Sequence, residues 1–235
     1  MIMILNRNLK HLAVKHIVKD FTVFLWLLKL GTLANIYFLI QTLIPPLVLV
    51  EPRVLIPAQI LFAVSAFRCF FPNRYTNNAV FHDSFFSSIF LTRFFATFSE
   101  IAYIYLFAYL IRLLNFNQVI WVDIFSWLMV FQVTISQFFV WCAILTGKLK
   151  LYFYEELGWG FIFGVNTIAS AYLYLTIDNF GGRELLVQLN LLFGAFYLPW
   201  QLIHLRSLWL DASQDLGKKD LEVSMTWSAL LKGLH

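Results

Sequence analysis

Six apolar stretches, each about the length of a bilayer crossing, follow one another along this chain and leave little sequence between them. They run over residues 21–43, 54–71, 85–113, 119–145, 151–176 and 185–210. A hydrocarbon core takes about 20 residues of helix to cross. Pro45 and Pro46 end the first stretch and Pro72 the second, because proline has no N–H to donate to the helical ladder. The fifth ends before Asp178-Asn179-Phe180-Gly181-Gly182.

Composition removes the alternatives. The chain is 60% hydrophobic and 13% charged, whereas a soluble domain carries about 25% charged residues. That is too little polar surface to keep a compact particle of 235 residues in water. Ten glycines, six prolines and two cysteines exclude collagenous and disulfide-scaffold folds. The pattern predicts an all-α, multi-pass integral membrane protein, a bundle of six transmembrane helices over residues 21–210. Residues 1–20, with Arg7, Lys10, Lys15 and Lys19 among apolar residues, form a basic amphipathic surface segment. Residues 211–235 form a short amphipathic tail.

Lysine and arginine set the orientation. They gather in the N-terminal segment, around the second loop (Arg68, Arg74, Arg93), in the fourth loop (Lys148, Lys150) and in the tail (Arg206, Lys218, Lys219, Lys232). The alternate loops hold Arg53, Arg112 and Arg183. The positive-inside rule therefore predicts both ends on the cytoplasmic side. The net charge of +4 reflects this bias and not a nucleic-acid surface, since the basic residues share no soluble face.

Polar residues inside the spans fall on stripes at about 100° per residue. Arg93, Thr97 and Glu100 share one on the third span; Glu155, Trp159, Asn166 and Ser170 share one on the fifth. Asn190, Gly194, Tyr197, Gln201 and His204 line the sixth, and Asp123, Ser126, Thr134, Gln137 and Trp141 form a broader face on the fourth. Lys29 stands alone in the first. Because polar groups are costly in hydrocarbon, the four stripes are expected to turn inward around a shared polar interior. On the cytoplasmic side the second loop adds His82 and Asp83 beside Arg68 and Arg93. Guanidinium groups at headgroup depth suit anionic groups.

Complete catalytic motifs are missing. Glu155-Glu156 is followed by Gly160 where the intramembrane CAAX-protease-like motif places arginine. There is no Gly-x-Ser-Gly turn, no cluster of histidines at membrane depth and no Gly-x-x-x-x-Gly-Lys phosphate loop. Cys69 and Cys142 lack metal-site spacing, so neither a metal nor a cofactor is implied. These features lead us to expect a protein that binds, and transports or modifies, a small anionic or lipid-like molecule. The ligand-binding candidates are Arg68, His82, Asp83, Arg93, Glu100, Glu155, Asn166, Gln201 and His204. Membrane lipids are the expected partners. The alternative is a non-catalytic accessory subunit with protein partners inside the membrane.

The orientation is testable by single-cysteine labelling in a Cys69→Ala/Cys142→Ala background. Residues near Lys148 and Lys219 should react only after the membrane is permeabilised, and residues near Gly181 should react before. The reverse pattern would invert the topology.

Overall fold

A computed structural model of the protein describes residues 22–44, 52–72, 84–178 and 180–215. Among these residues there are six α-helices, one 3₁₀ turn and no strand. The helices are α1 (Thr22–Leu43), α2 (Pro52–Phe70), α3 (Ile89–Leu114), α4 (Ile120–Thr146), α5 (Leu149–Thr176) and α6 (Glu184–Asp215). Each falls on one of the six apolar stretches. Four segments are long and apolar enough to cross a membrane: Arg53–Phe70, Ile89–Leu114, Ile120–Thr146 and Glu184–Ser213. The basic segment 1–20 and the loop residues His82 and Asp83 lie outside the described residues.

The third helix begins later than its apolar stretch. Phe85–Ser87 forms a 3₁₀ turn, and Ser84 and Ser88 flanking it are extended. Ser88 then accepts the Leu91 N–H on its hydroxyl at 3.4 Å, an N-cap that starts α3 at Ile89. Serine's affinity for nearby backbone donors competes with the helix here, although hydropathy alone runs straight through. Gly147 closes α4: its φ of 67° is left-handed, and its N–H bonds the Ala143 carbonyl at 2.7 Å. Asn115 staples the turn between α3 and α4. Its side-chain Oδ1 accepts the Val119 N–H at 3.0 Å, and its side-chain Nδ2 donates to the Val119 carbonyl and to Asp123 Oδ1, each at 3.0 Å.

The chain divides into two compact units, with the boundary inside α3 between Ser99 and Glu100. In the first, α1 and α2 satisfy each other's terminal carbonyls. Lys29 donates to Phe70 O at 3.0 Å and lies 4.0 Å from the Phe70 ring. Gln59 donates to Thr42 O at 3.1 Å. The last carbonyls of a helix have no intrahelical donor and carry its negative pole, which is why a lysine is useful there. Rings complete the unit: Phe38 stacks on Phe62 at 5.4 Å, and Phe67 meets Phe95 edge-on at 5.1 Å.

In the second unit α5 packs against both α4 and α6. Small residues set the approach. A Cβ at Gly158 would overlap the Ser136 hydroxyl, and one at Gly194 would overlap Thr167. The apolar core between the helices is built on Ile104, Ile111, Met129, Val133, Ile162, Phe163, Leu173 and Val187.

Three glycines test this packing. Gly158→Ala and Gly194→Ala should each lower stability by about 1–3 kcal/mol through overpacking. Gly164→Ala, where nothing lies within 4 Å of the new Cβ, should be neutral or stabilising by about 1 kcal/mol from helix propensity. Unfolding of the purified variants, followed by circular dichroism in detergent, reads the difference. Equal behaviour of all three would refute the close contacts.

Candidate functional site

Polar side chains in the second unit meet in pairs at separate levels of the bundle. At the level nearest the α4–α5 connection, Gln201 on α6 reaches across to Glu156 on α5. Its Nε2 donates to the Glu156 carbonyl at 2.6 Å and to the Glu156 carboxylate at 3.0 Å. His204, one turn further along α6, holds its Nε2 3.9 Å from the other carboxylate oxygen of Glu156. On the neighbouring helices Gln137 donates to Glu100 at 2.9 Å, and the Ser136 hydroxyl donates to the Glu155 carbonyl at 3.4 Å.

The next level is aromatic. The buried Phe163 has Tyr197 at 4.6 Å, Phe193 at 4.9 Å, Phe107 at 5.5 Å and Trp159 at 6.1 Å, centroid to centroid. Beyond it lies an amide lock. Asn166 and Asn190 exchange side-chain hydrogen bonds at 3.0 and 3.3 Å, and Asn190 also donates to Ser170 at 3.0 Å. Asn166 is fully buried and Asn190 is 3% exposed. At the far end Arg112 donates to Ser126 at 3.0 Å and lies 4.2 Å from the Trp127 ring.

The expectation of inward stripes holds on α5 and α6, where Glu155, Asn166, Ser170, Asn190 and Gln201 are buried. On α4 it holds in part. Ser126 and Gln137 are buried, but Thr134 is exposed and bonds back to Val130 O at 3.0 Å in its own helix. The buried face is centred on Met129, Val133, Ser136 and Val140, and Thr134 lies about 120° from its centre. The aromatic level also divides what the stripes imply as one interior. Trp159, near a span end in sequence, packs on this core. Lys29 serves the end of α2.

Of the candidate ligand residues, Gln201 and His204 come together on Glu156, which accepts a hydrogen bond from Gln201 and lies 3.9 Å from His204. Asn166 belongs to the separate amide level. Glu100 pairs with Gln137, and Glu155 is buried, with its main-chain carbonyl accepting from Ser136 on α4. Arg68 and Arg93 lie in the first unit, at the end where α2 stops and α3 begins; Phe71 and Phe86 meet at this end at 5.1 Å. Glu156 is visible in the sequence as a charge at membrane depth but stands outside the candidate ligand residues. It lies about 100° from Glu155 on the wheel, off the chosen stripe. The signal for it is that α5 contacts two helices, so it carries two inner faces. Gly160 marks the second, directly against Gln201.

An apolar groove opens beside the Glu156 cluster. Leu189, Leu192, Phe193, Phe196, Tyr197 and Trp200, all on α6, line a cavity of about 490 Å³. Trp200 belongs to both features: it lines the groove, and its ring lies parallel to His204 at 5.1 Å and 13°. Pro199 sits at the junction within α6. It withdraws the donor that the Ala195 carbonyl would otherwise use, a common origin of a helix kink. Among the described residues no group of three or more His, Cys, Asp and Glu side chains is assembled for a metal.

Comparison with family models, with curated proteins and with solved structures finds no match to this chain. The site therefore rests on its own chemistry.

The amide lock should behave as one unit. Asn166→Leu or Asn190→Leu alone strands a buried partner and should cost about 1–3 kcal/mol. The double variant should cost less than the sum of the two, because no amide is left unpaired. Additive losses in detergent unfolding would show that the two side chains are not coupled.

Proposed function

We propose that this chain is an integral membrane protein of six spans, with both ends cytoplasmic, that binds a lipid-like molecule for transport or modification. The ligand's polar head sits on Glu156, Gln201 and His204, and its hydrocarbon lies in the groove along α6. The continuity of the two through Trp200 carries this reading. A polar cluster at one end of an apolar groove is the complement of an amphiphile. By the lysine and arginine distribution, the cluster lies toward the cytoplasmic leaflet, since it adjoins the loop with Lys148 and Lys150.

The remaining polar levels support this role. The aromatic level beneath the cluster closes the bundle around Phe163, which favours a pocket over a continuous pore. The amide lock below holds α5 to α6, so that Glu156 and Gln201 keep their register. Arg68 and Arg93, in the first unit, carry guanidinium groups suited to lipid phosphates.

The test is lipid retention. Full-length protein purified in mild detergent is examined by native mass spectrometry after equilibration with a phospholipid extract. The wild type should keep bound lipid. Leu192→Ala/Phe196→Ala should keep about tenfold less, because the chain loses apolar contact. Both side chains are exposed, so the stability of the lipid-free variant should not change. Equal retention by the two proteins would overturn the groove as the binding surface.

A further inference from the structure

Resting on the lipid-binding reading above, the balance of donors and acceptors in the cluster narrows the head group. Glu156 offers Gln201 only acceptors, a main-chain carbonyl at 2.6 Å and a carboxylate oxygen at 3.0 Å. The Gln201 amide nitrogen must therefore face Glu156, which turns its Oε1 away. That oxygen is buried on a side chain 1% exposed, and it finds no donor among the described residues. The second Glu156 oxygen is 3.9 Å from His204 Nε2, longer than a hydrogen bond.

The cluster thus holds more acceptors than donors, the opposite of what an anion requires. Its walls are aromatic, with Trp200 parallel to His204 and Tyr197 5.7 Å from Trp200. A carboxylate with aromatic faces around it suits a cation. We infer that the site selects a lipid whose head group carries a primary ammonium. Its N–H groups satisfy Gln201 Oε1 while its charge meets Glu156. A quaternary ammonium has the charge but no N–H for Gln201, and a head group of phosphate and hydroxyls alone lacks the charge. Entry is through Glu156 and His204, whose side chains are 26% and 35% exposed.

The experiment compares phosphatidylethanolamine, phosphatidylcholine and phosphatidylglycerol of identical acyl chains. Full-length protein is loaded into nanodiscs of an equal mixture, and the lipids still bound after release into the gas phase are counted by native mass spectrometry. The wild type should enrich phosphatidylethanolamine about tenfold over each of the others. Gln201→Met should bring phosphatidylcholine level with phosphatidylethanolamine while total lipid retention persists. Glu156→Gln keeps an acceptor for the Gln201 amide and serves where Gln201→Met fails to fold; it should remove the preference over phosphatidylglycerol. Equal enrichment of all three lipids by the wild type, or a preference for phosphatidylglycerol, overturns the ammonium assignment and leaves the groove intact. Retention of no lipid at all overturns the lipid-binding reading itself.

Discussion

Everything in this molecule follows from an apolar exterior that forces polar groups to find partners inside. Leu175 is 81% exposed, Phe196 73% and Ile203 72%, side chains that favour hydrocarbon over water around them. In such surroundings an unpaired amide or carboxylate has no solvent to fall back on. The answer here is pairing between helices: Gln201 with Glu156, Asn166 with Asn190, Gln137 with Glu100 and Arg112 with Ser126. The α1–α2 hairpin obeys the same constraint at its ends, where Lys29 and Gln59 each serve a terminal carbonyl of the neighbouring helix.

Close pairing needs close helices, and apolar surroundings give no hydrophobic force to bring them together. Association then depends on fit, which small residues provide. Gly158 lets α5 meet α4 at Ser136, and Gly194 lets α6 meet α5 at Thr167. Gly158 is two residues from Glu156, and Thr167, which meets Gly194, adjoins Asn166, so loss of either contact acts on the register of Glu156 against Gln201. Packing and site geometry are one problem in this bundle.

Six helices were legible in the sequence because apolar length and proline position are local properties. Helix starts set by serine were less so: the break at Ser84–Ser88 is a hydrogen-bonding event that hydropathy does not register. The inner faces of α5 and α6 were legible from stripes such as Asn190, Gly194, Tyr197 and Gln201, all on one line. What a single stripe does not convey is which residue a helix offers to which neighbour. Glu155 and Glu156 are adjacent and chemically identical. The main-chain carbonyl of the first accepts from Ser136 on α4 and the carboxylate of the second from Gln201 on α6, and only the packing of α5 between two helices distinguishes them. The division of the polar stripes by Phe163 was hidden for a similar reason, since it depends on rings from α3, α5 and α6 converging at one height.

Pro199 ties these points together. Proline inside a helix removes a hydrogen bond and is costly where water cannot replace it, so its presence between the groove and the cluster requires a compensating gain. In α6 the residues on either side are Tyr197 and Leu198 before it, and Trp200 and Gln201 after it. Trp200 must line the groove and stack on His204, while Gln201, one position on, must reach Glu156 on α5. Consecutive residues of a straight helix point about 100° apart, which sends one side chain outward and the other in. The helix gives up one backbone hydrogen bond at Pro199, two residues before Gln201, whose own buried side-chain oxygen likewise finds no donor among the described residues.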